Sequence, residues 1–285
     1  MLALILAFML AVAKEPPAQH QSPYRRSPYV GAIALDGETG RVLFADNAAR
    51  ECYPASCTKL MTARLLLKAV AAGRFSLDDE IVQSKRSSAE QPSKIDLAVG
   101  ETMTIDNALK ALMVKSANDV AVMIAEAVAG SVENFVVLMN DEAAKLGMHD
   151  TRFASPNGLP PPRGSGRDFD KSTAEDLSKL ALAILRDQPQ MLEYTKIASI
   201  QLPGRGGEML NLQNHNNFLW KPKVKINGVD GMKTGYIDAG GSSIVLTAER
   251  DGRRAIVVVT GSATAREREE NAGRMLNDAL DALTW

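Results

Sequence analysis

The chain opens on an unbroken apolar run, Leu2 to Ala13 (LALILAFMLAVA). A membrane-spanning helix takes about 20 apolar residues, so this run is too short to cross and suits the apolar core of a secretory leader. Ala11-Val12-Ala13 is an A-x-A cleavage pattern. No Lys or Arg precedes the run, which leaves the Met1 amine as its charged flank; a buried N-terminal helix is the competing reading. Residues 14–28 are rich in Pro, Gln and Ser and read as a flexible lead-in. The expected organisation is a signal peptide over 1–13, the lead-in over 14–28 and one folded unit over 29–285.

Alternation begins at Tyr29. Tyr29 to Leu35 and Arg41 to Ala45 flank the turn Asp36-Gly37-Glu38-Thr39-Gly40 and predict a hairpin. From Ser56 to Ala72 the period changes, with apolar Leu60, Met61, Leu65, Leu66 and Val70 on one helical face and Gly73 as the stop. Ile105 to Val114 and Asp119 to Ala129 predict two helices broken at Lys115-Ser116-Ala117-Asn118. Ser131 to Leu146 predicts a third, closed by Gly147. Residues 153–166 read as loop, and Ser172-Thr173-Ala174-Glu175 as a capping box before a helix over Leu177 to Leu185. Strands return at Lys223 to Ile226, Gly231 to Ile237, Ser242 to Ala248 and Arg253 to Thr260, the last two joined by the hairpin signal Asp251-Gly252. A final helix over Ala263 to Leu283 carries a stripe of Met275, Leu276, Ala279, Leu280 and Leu283 that should pack on a sheet. Strands at both ends and helices between predict an α/β (α+β) fold: an antiparallel sheet flanked by helices, with an all-helical lobe and a cleft between the two.

Composition narrows the chemistry. The 45% hydrophobic and 24% charged residues are those of a folded globular chain. A net charge of −1 offers no basic field, so no nucleic-acid partner is expected. Three His, two Cys and no HExxH or paired CxxC argue against a metal site. Cys52 and Cys57 read as small buried fillers, because a helix at Cys57 restricts the geometry of so short a disulfide loop.

Three short motifs remain. Ser56-Cys57-Thr58-Lys59 is an S-x-x-K at a helix start, which puts hydroxyl and amine on one face. A serine hydroxyl needs a base, and lysine is one only when neutral, which takes burial or a neighbouring cation; a plain N-cap serine is the competing reading. Ser116-Ala117-Asn118 supplies a proton-passing hydroxyl and a carboxamide, in a tight extended segment facing a cleft; Asn118 as a simple helix cap competes. Lys233-Thr234-Gly235 lies in a strand: the charge and hydroxyl suit a substrate carboxylate, and Gly235 lets a ligand backbone approach. Lys233 is also a cation that could keep Lys59 neutral.

The ordered set S-x-x-K, S-x-N, K-T-G resembles that of serine penicillin-interacting enzymes. Pro54 to Thr62 (PASCTKLMT), Ser116-Ala117-Asn118-Asp119, Ser155-Pro156-Asn157-Gly158-Leu159, Ser172-Thr173-Ala174 and Gly228 to Tyr236 (GVDGMKTGY) are similar to the low-molecular-mass penicillin-binding proteins, the S11 D-Ala-D-Ala carboxypeptidases, from about Tyr29 to about Leu283. The resemblance implies that Ser56 is the acyl nucleophile, Lys59 its general base, Ser116 a proton relay and Asn118 a holder of the peptide amide and of Lys59. It also implies that Lys233 and Thr234 grip the terminal carboxylate, with Gly235 between them and Tyr236, and that the N–H groups of Ser56 and Tyr236 form an oxyanion hole. No cofactor is implied. The implied partners are peptidoglycan stem peptides as substrate and β-lactams as covalent inhibitors, in a periplasmic or extracellular location.

The chain departs from many relatives at Ile237, where they carry a Thr, and at Gly166 to Lys171, where several carry a His. Many relatives continue into a small β-domain and an amphipathic anchor helix. The end at Trp285 leads to the expectation that both are absent and that there is no stable membrane anchor. A D,D-endopeptidase acting on cross-links would use the same residues. A β-lactamase would place a Glu in the Ser155–Gly166 loop, which has none. A non-catalytic wall-binding protein would not need Ser56, Lys59 and Lys233 intact. A Ser-His-Asp hydrolase using His215 lacks a G-x-S-x-G, and His215 reads as a packed turn residue.

Overall fold

A computed structural model describes residues 25–162 and 164–283. The leader assigned to 1–13 lies outside them. Strands β1 (Gly31–Asp36) and β2 (Val42–Asp46) form the expected hairpin. Helix α1 (Lys59–Ala71) follows a single 3-10 turn, Ala55–Thr58. The helical lobe contains β3 (Glu80–Val82), α2 (Lys85–Ser88), β4 (Thr102–Thr104), α3 (Ile105–Lys110), α4 (Asn118–Ala129), α5 (Val132–Lys145), α6 (Ala174–Asp187) and α7 (Met191–Thr195). A hairpin of β5 (Ser199–Pro203) and β6 (Met209–Gln213) leads back to β7 (Val229–Ile237), β8 (Gly241–Arg250), β9 (Arg253–Ser262) and the closing helix α8 (Ala265–Leu283).

The main sheet runs β2-β1-β9-β8-β7, antiparallel throughout, as the hairpin signals predict. Its central strands are buried on both faces. Alternate residues of β9 and β8 (Val257, Val259, Ile244, Leu246) meet the α8 stripe of Met275, Leu276, Ala279 and Leu280. The other face (Ile33, Val245, Ile256, Val258) joins the core of α1, α4 and α6. Burying a Leu or Ile side chain is worth about 1.5–3 kcal/mol, so this two-sided packing fixes the sheet, and with it β7, rigidly against α1.

Four sequence-based expectations change. Residues 223–226 form a turn and no strand, because Pro222 and Asn227-Gly228 bracket them; Val224 and Ile226 still cover the α8 side of the core. The helix expected over 105–114 is α3 followed by one π turn, Ala111–Lys115. The cap of α6 is Thr173, whose hydroxyl accepts from Asp176 N, while Ser172 pairs with Cys52 through the backbone. The two small antiparallel pairs, β3 with β4 and β5 with β6, have no counterpart in the sequence-based expectations. Arg25 and Arg26 are also tied down, with Arg25 donating twice to Ala263 O and Arg26 N donating to Gly261 O.

Candidate active site

The turn that carries Ser56 is clamped from two sides by glycines. Ala55 has φ +50, an uncommon conformation for a residue with a Cβ. A Cβ on Gly158 (φ +79) would lie 1.9 Å from Ala55 O, and one on Gly235 would lie 2.6 Å from Pro54 O and 3.1 Å from Ser56 N. Sequence reasoning reserves the open face of Gly235 for a ligand; the structure fills it with the chain's own turn over Pro54 to Ser56. The K-T-G strand is thereby pressed against Ser56. β7 is the edge strand of the sheet, so its outer edge is open to a further extended chain.

Ser56 is half-buried and Lys59 fully buried. The Lys59 Nζ lies 3.0 Å from Ser56 Oγ and donates to Asn118 Oδ1 at 2.7 Å and to Asn157 O at 2.7 Å. Burial, then the positive charge of Lys233, hold its pKa well below the ordinary lysine value. Both groups other than Ser56 are carbonyl oxygens, which only accept. A neutral amine has two N–H groups and one lone pair, so donating to both carbonyls leaves the lone pair for the Ser56 hydroxyl proton. Asn118 is set in turn: its N–H donates to Ser93 O, and its Nδ2 to Gln91 O, which turns Oδ1 toward the amine.

Asn157 sits on a loop held by a buried carboxylate. Asp170 accepts from Ala154 N, Ser155 N, Ser155 Oγ and Thr58 Oγ1, the last inside the S-x-x-K motif. Burial pushes the Asp170 carboxyl up to about 6. Thr62 Oγ1 also donates to Pro156 O, seating the same loop on α1.

Ser116 follows the π turn in the left-handed region, φ +59, and is not in the extended segment that its spacing suggested. Its Oγ is buried and without a hydrogen-bond partner among the described residues. It lines one cleft of about 310 Å³ with Ser56, Asn118, Thr234, Gly235 and Tyr236. Lys233 is buried, its Nζ donating to Thr234 O at 3.0 Å; burial, then Arg268, lower its pKa to about 8. Tyr236 is exposed, with its hydroxyl on Asp238 Oδ1.

Two titratable residues outside the motifs also line the cleft. Arg268, 6% exposed, has a buried Nε without a partner among the described residues. It stands 4, 7 and 8 residues before Ala272, Met275 and Leu276; a charge on the apolar stripe is the signal that could have found it. His215 is the second, a cleft-wall residue exposed to solvent. Desolvation in the wall, then the charge of Lys233, push its imidazole down to about 4. It is therefore neutral at pH 7, surrounded by cations.

The family model described as D-alanyl-D-alanine carboxypeptidase, Peptidase S11, matches residues 23–264. The chain belongs to this family. A D-alanyl-D-alanine carboxypeptidase, DacF, of Bacillus subtilis is 32% identical over 250 residues, covering 87% of this chain and 61% of the relative. The chain thus spans less than two thirds of that relative's length. Among solved S11-like structures, penicillin binding protein 6B from Escherichia coli superposes with a TM-score of 0.77 at 30% identity, covering 94% of this chain and 81% of that one. Penicillin-Binding Protein D2 from Listeria monocytogenes, solved with cefotaxime bound, gives 0.76 at 29% identity, covering 88% of this chain and 97% of that one. These neighbours carry the serine β-lactamase-like D,D-peptidase fold that the sequence predicts.

Proposed function

We propose that the chain is a serine-type D-alanyl-D-alanine carboxypeptidase working through an acyl-enzyme. The observation that carries this is the Lys59 amine, buried beside a second lysine, with two carbonyl acceptors that leave its lone pair for Ser56. Ser56 Oγ attacks the carbonyl carbon of the penultimate D-Ala as its proton passes to Lys59 Nζ. The N–H groups of Ser56 and Tyr236 take the developing oxyanion, where one donor is worth roughly 2.7–4 kcal/mol. The proton moves through Ser116 to the leaving nitrogen, breaking the peptide bond and freeing D-Ala. Water then attacks the ester, its proton returning through Lys59 to Ser56. The terminal carboxylate binds at the end of the cleft lined by Thr234 and Arg268, whose Nε is buried without a partner among the described residues, with the Lys233 charge behind Thr234. The Listeria relative's complex with cefotaxime supports β-lactams as covalent inhibitors of Ser56. Residues 29–285 act as one catalytic unit, exported by the leader at 1–13 to the wall, where peptidoglycan stem peptides are the substrate. Among the described residues no single helix is long and apolar enough to cross a membrane.

Mass spectrometry after benzylpenicillin and after a pentapeptide muropeptide tests the reading. A single adduct on Ser56, absent from Ser56→Ala and formed at least about a hundredfold more slowly in Lys59→Arg, is expected, because arginine stays charged. Wild-type labelling of Lys59→Arg would remove Lys59 as the base. Release of D-Ala from linear stems, with cross-linked dimers left whole, marks the carboxypeptidase; cleavage of the dimers marks the endopeptidase.

A further inference from the structure

Asp170 is buried and forms no part of the cleft lining. The chain around it is bolted down on both sides. Phe169 stacks on Tyr53, with ring centroids 4.5 Å apart. Lys171 and Arg152 exchange two backbone hydrogen bonds, and Ser172 and Cys52 do the same. The carboxylate is therefore a fixed post.

Two pieces of the site hang on that post. Thr58 lies two residues after Ser56 and one before Lys59, and its hydroxyl donates to Asp170 Oδ2 at 2.9 Å. Thr58 holds the N-cap position of α1 and yet makes no side-chain cap; its hydroxyl goes to Asp170 instead. On the other side Ala154 N and Ser155 N donate to Oδ1 at 2.6 and 2.9 Å, and Ser155 Oγ donates to Oδ2 at 3.1 Å. Ser155 Oγ also accepts from Gly158 N at 2.8 Å, which closes the chain around Asn157 into a turn. The Asn157 side chain is held separately, its Nδ2 donating to Glu90 Oε2 at 3.0 Å.

Both ends of the contact between Lys59 Nζ and Asn157 O, 2.7 Å long, thus trace back to one carboxylate: through Thr58 on the lysine side and through Ser155 on the carbonyl side. Gly158, in the same turn, abuts Ala55 O, next to Ser56. The contact decides where the amine points. With Asn157 O and Asn118 Oδ1 each taking an N–H, the remaining direction faces Ser56 Oγ at 3.0 Å. An ionised carboxylate has about four lone-pair sites, and these four donors use them all.

We propose that Asp170 is a positioning residue for acylation: it locks the Ser56 turn and the Asn157 loop into one piece and so aims the Lys59 amine at the Ser56 hydroxyl, without touching substrate. The inference rests on the reading of Lys59 as the base for Ser56.

Benzylpenicillin acylation, resolved into its reversible binding constant and its chemical rate constant, tests it, with Tm and the labelled fraction measured alongside. In Asp170→Ala the rate constant should fall by about a hundredfold, as a displacement of about 1 Å at a reacting pair can cost, with the binding constant within about twofold. Asp170→Asn keeps Oδ1 for the two backbone N–H groups and presents an amide to the two hydroxyls, which accept as well as donate; it should restore the rate constant to within about tenfold of wild type. Thr58→Val cuts one strand of the link. It should slow acylation by about tenfold in the wild-type background and by less than about twofold in Asp170→Ala, since the two residues act as a unit. A purely structural role would lower Tm and the labelled fraction, while the molecules that label do so at the wild-type rate. That result, no rescue by asparagine, or a Thr58→Val effect that persists in Asp170→Ala would overturn the proposal while wild type still labels at Ser56. Where Asp170→Ala does not fold, Thr58→Val alone decides, and a rate constant within about twofold of wild type sinks the link. Failure of wild type to label would instead overturn the cleft reading, and the positioning role with it.

Discussion

A lysine that serves as the base for Ser56 has to give up its proton, and the fold around Lys59 favours that: full burial and the charge of Lys233 both lower its pKa. The same reasoning sets opposite demands on the two lysines. In the proposed mechanism Lys59 works without its proton and Lys233 with it. Lys233, lowered to about 8, loses its charge as pH rises through that value, and its grip on a carboxylate weakens. The kcat/KM for D-Ala release should therefore have an alkaline limb near pH 8, since kcat/KM reports the free enzyme. In Lys233→Arg the limb should move above pH 10, because arginine does not titrate there. A limb left in place by that substitution assigns it to another group. The three motifs were legible as residue spacings because each is local. His215, Glu90 and Asp170 were not: each reaches the site from a loop remote in sequence, where only the folded chain sets what it faces.

Elements place those side chains through contacts that residue types record only partly. The turn over 55–58 is held by the two glycine approaches, and neither neighbouring atom is a flexible side-chain end that could swing away. Gly158→Ala should displace Ala55 and slow penicillin acylation of Ser56 by at least about a hundredfold, with a lowered Tm; Gly73→Ala, at a positive φ in open space, should lower Tm by less and leave acylation unchanged. Equal acylation in both variants would show that the turn tolerates the shift. Most elements of the main sheet were legible because Asp251-Gly252 and the turn over 36–40 are local signals for antiparallel pairing. The β5–β6 hairpin was not, because it presents little buried surface along its length: only Leu202 and Leu212 are fully covered. The π turn before Ser116 leaves no mark on a 3.6-residue period, since Leu112, Met113 and Val114 are all buried.

Across the whole molecule, the two lobes are joined by one continuous apolar core that runs from Ile33 and Val258 of the sheet to Phe135 and Met139 of α5. Hairpins at both ends and a striped last helix made that arrangement readable before any contact was known. A buried ionic knot ties the helices beneath it: Arg64 of α1 pairs with Glu142 of α5 and Asp187 of α6, and Lys68 shares Glu142. Glu142→Ala strips Arg64 of its buried partner, which costs about 3–5 kcal/mol. At roughly 2 °C or more per kcal/mol for a chain of this size, Tm should fall by about 10 °C; a fall under about 2 °C would show that Asp187 suffices. Cys52 and Cys57 lie in the same interior as free thiols. Burial raises both above the ordinary thiol range, Cys57 to about 11, so neither is ionised at neutral pH or reachable from outside. The pair works as a tamper seal. Iodoacetamide leaves no mark while the protein stays closed, and each alkylated molecule records one excursion of the interior into solvent.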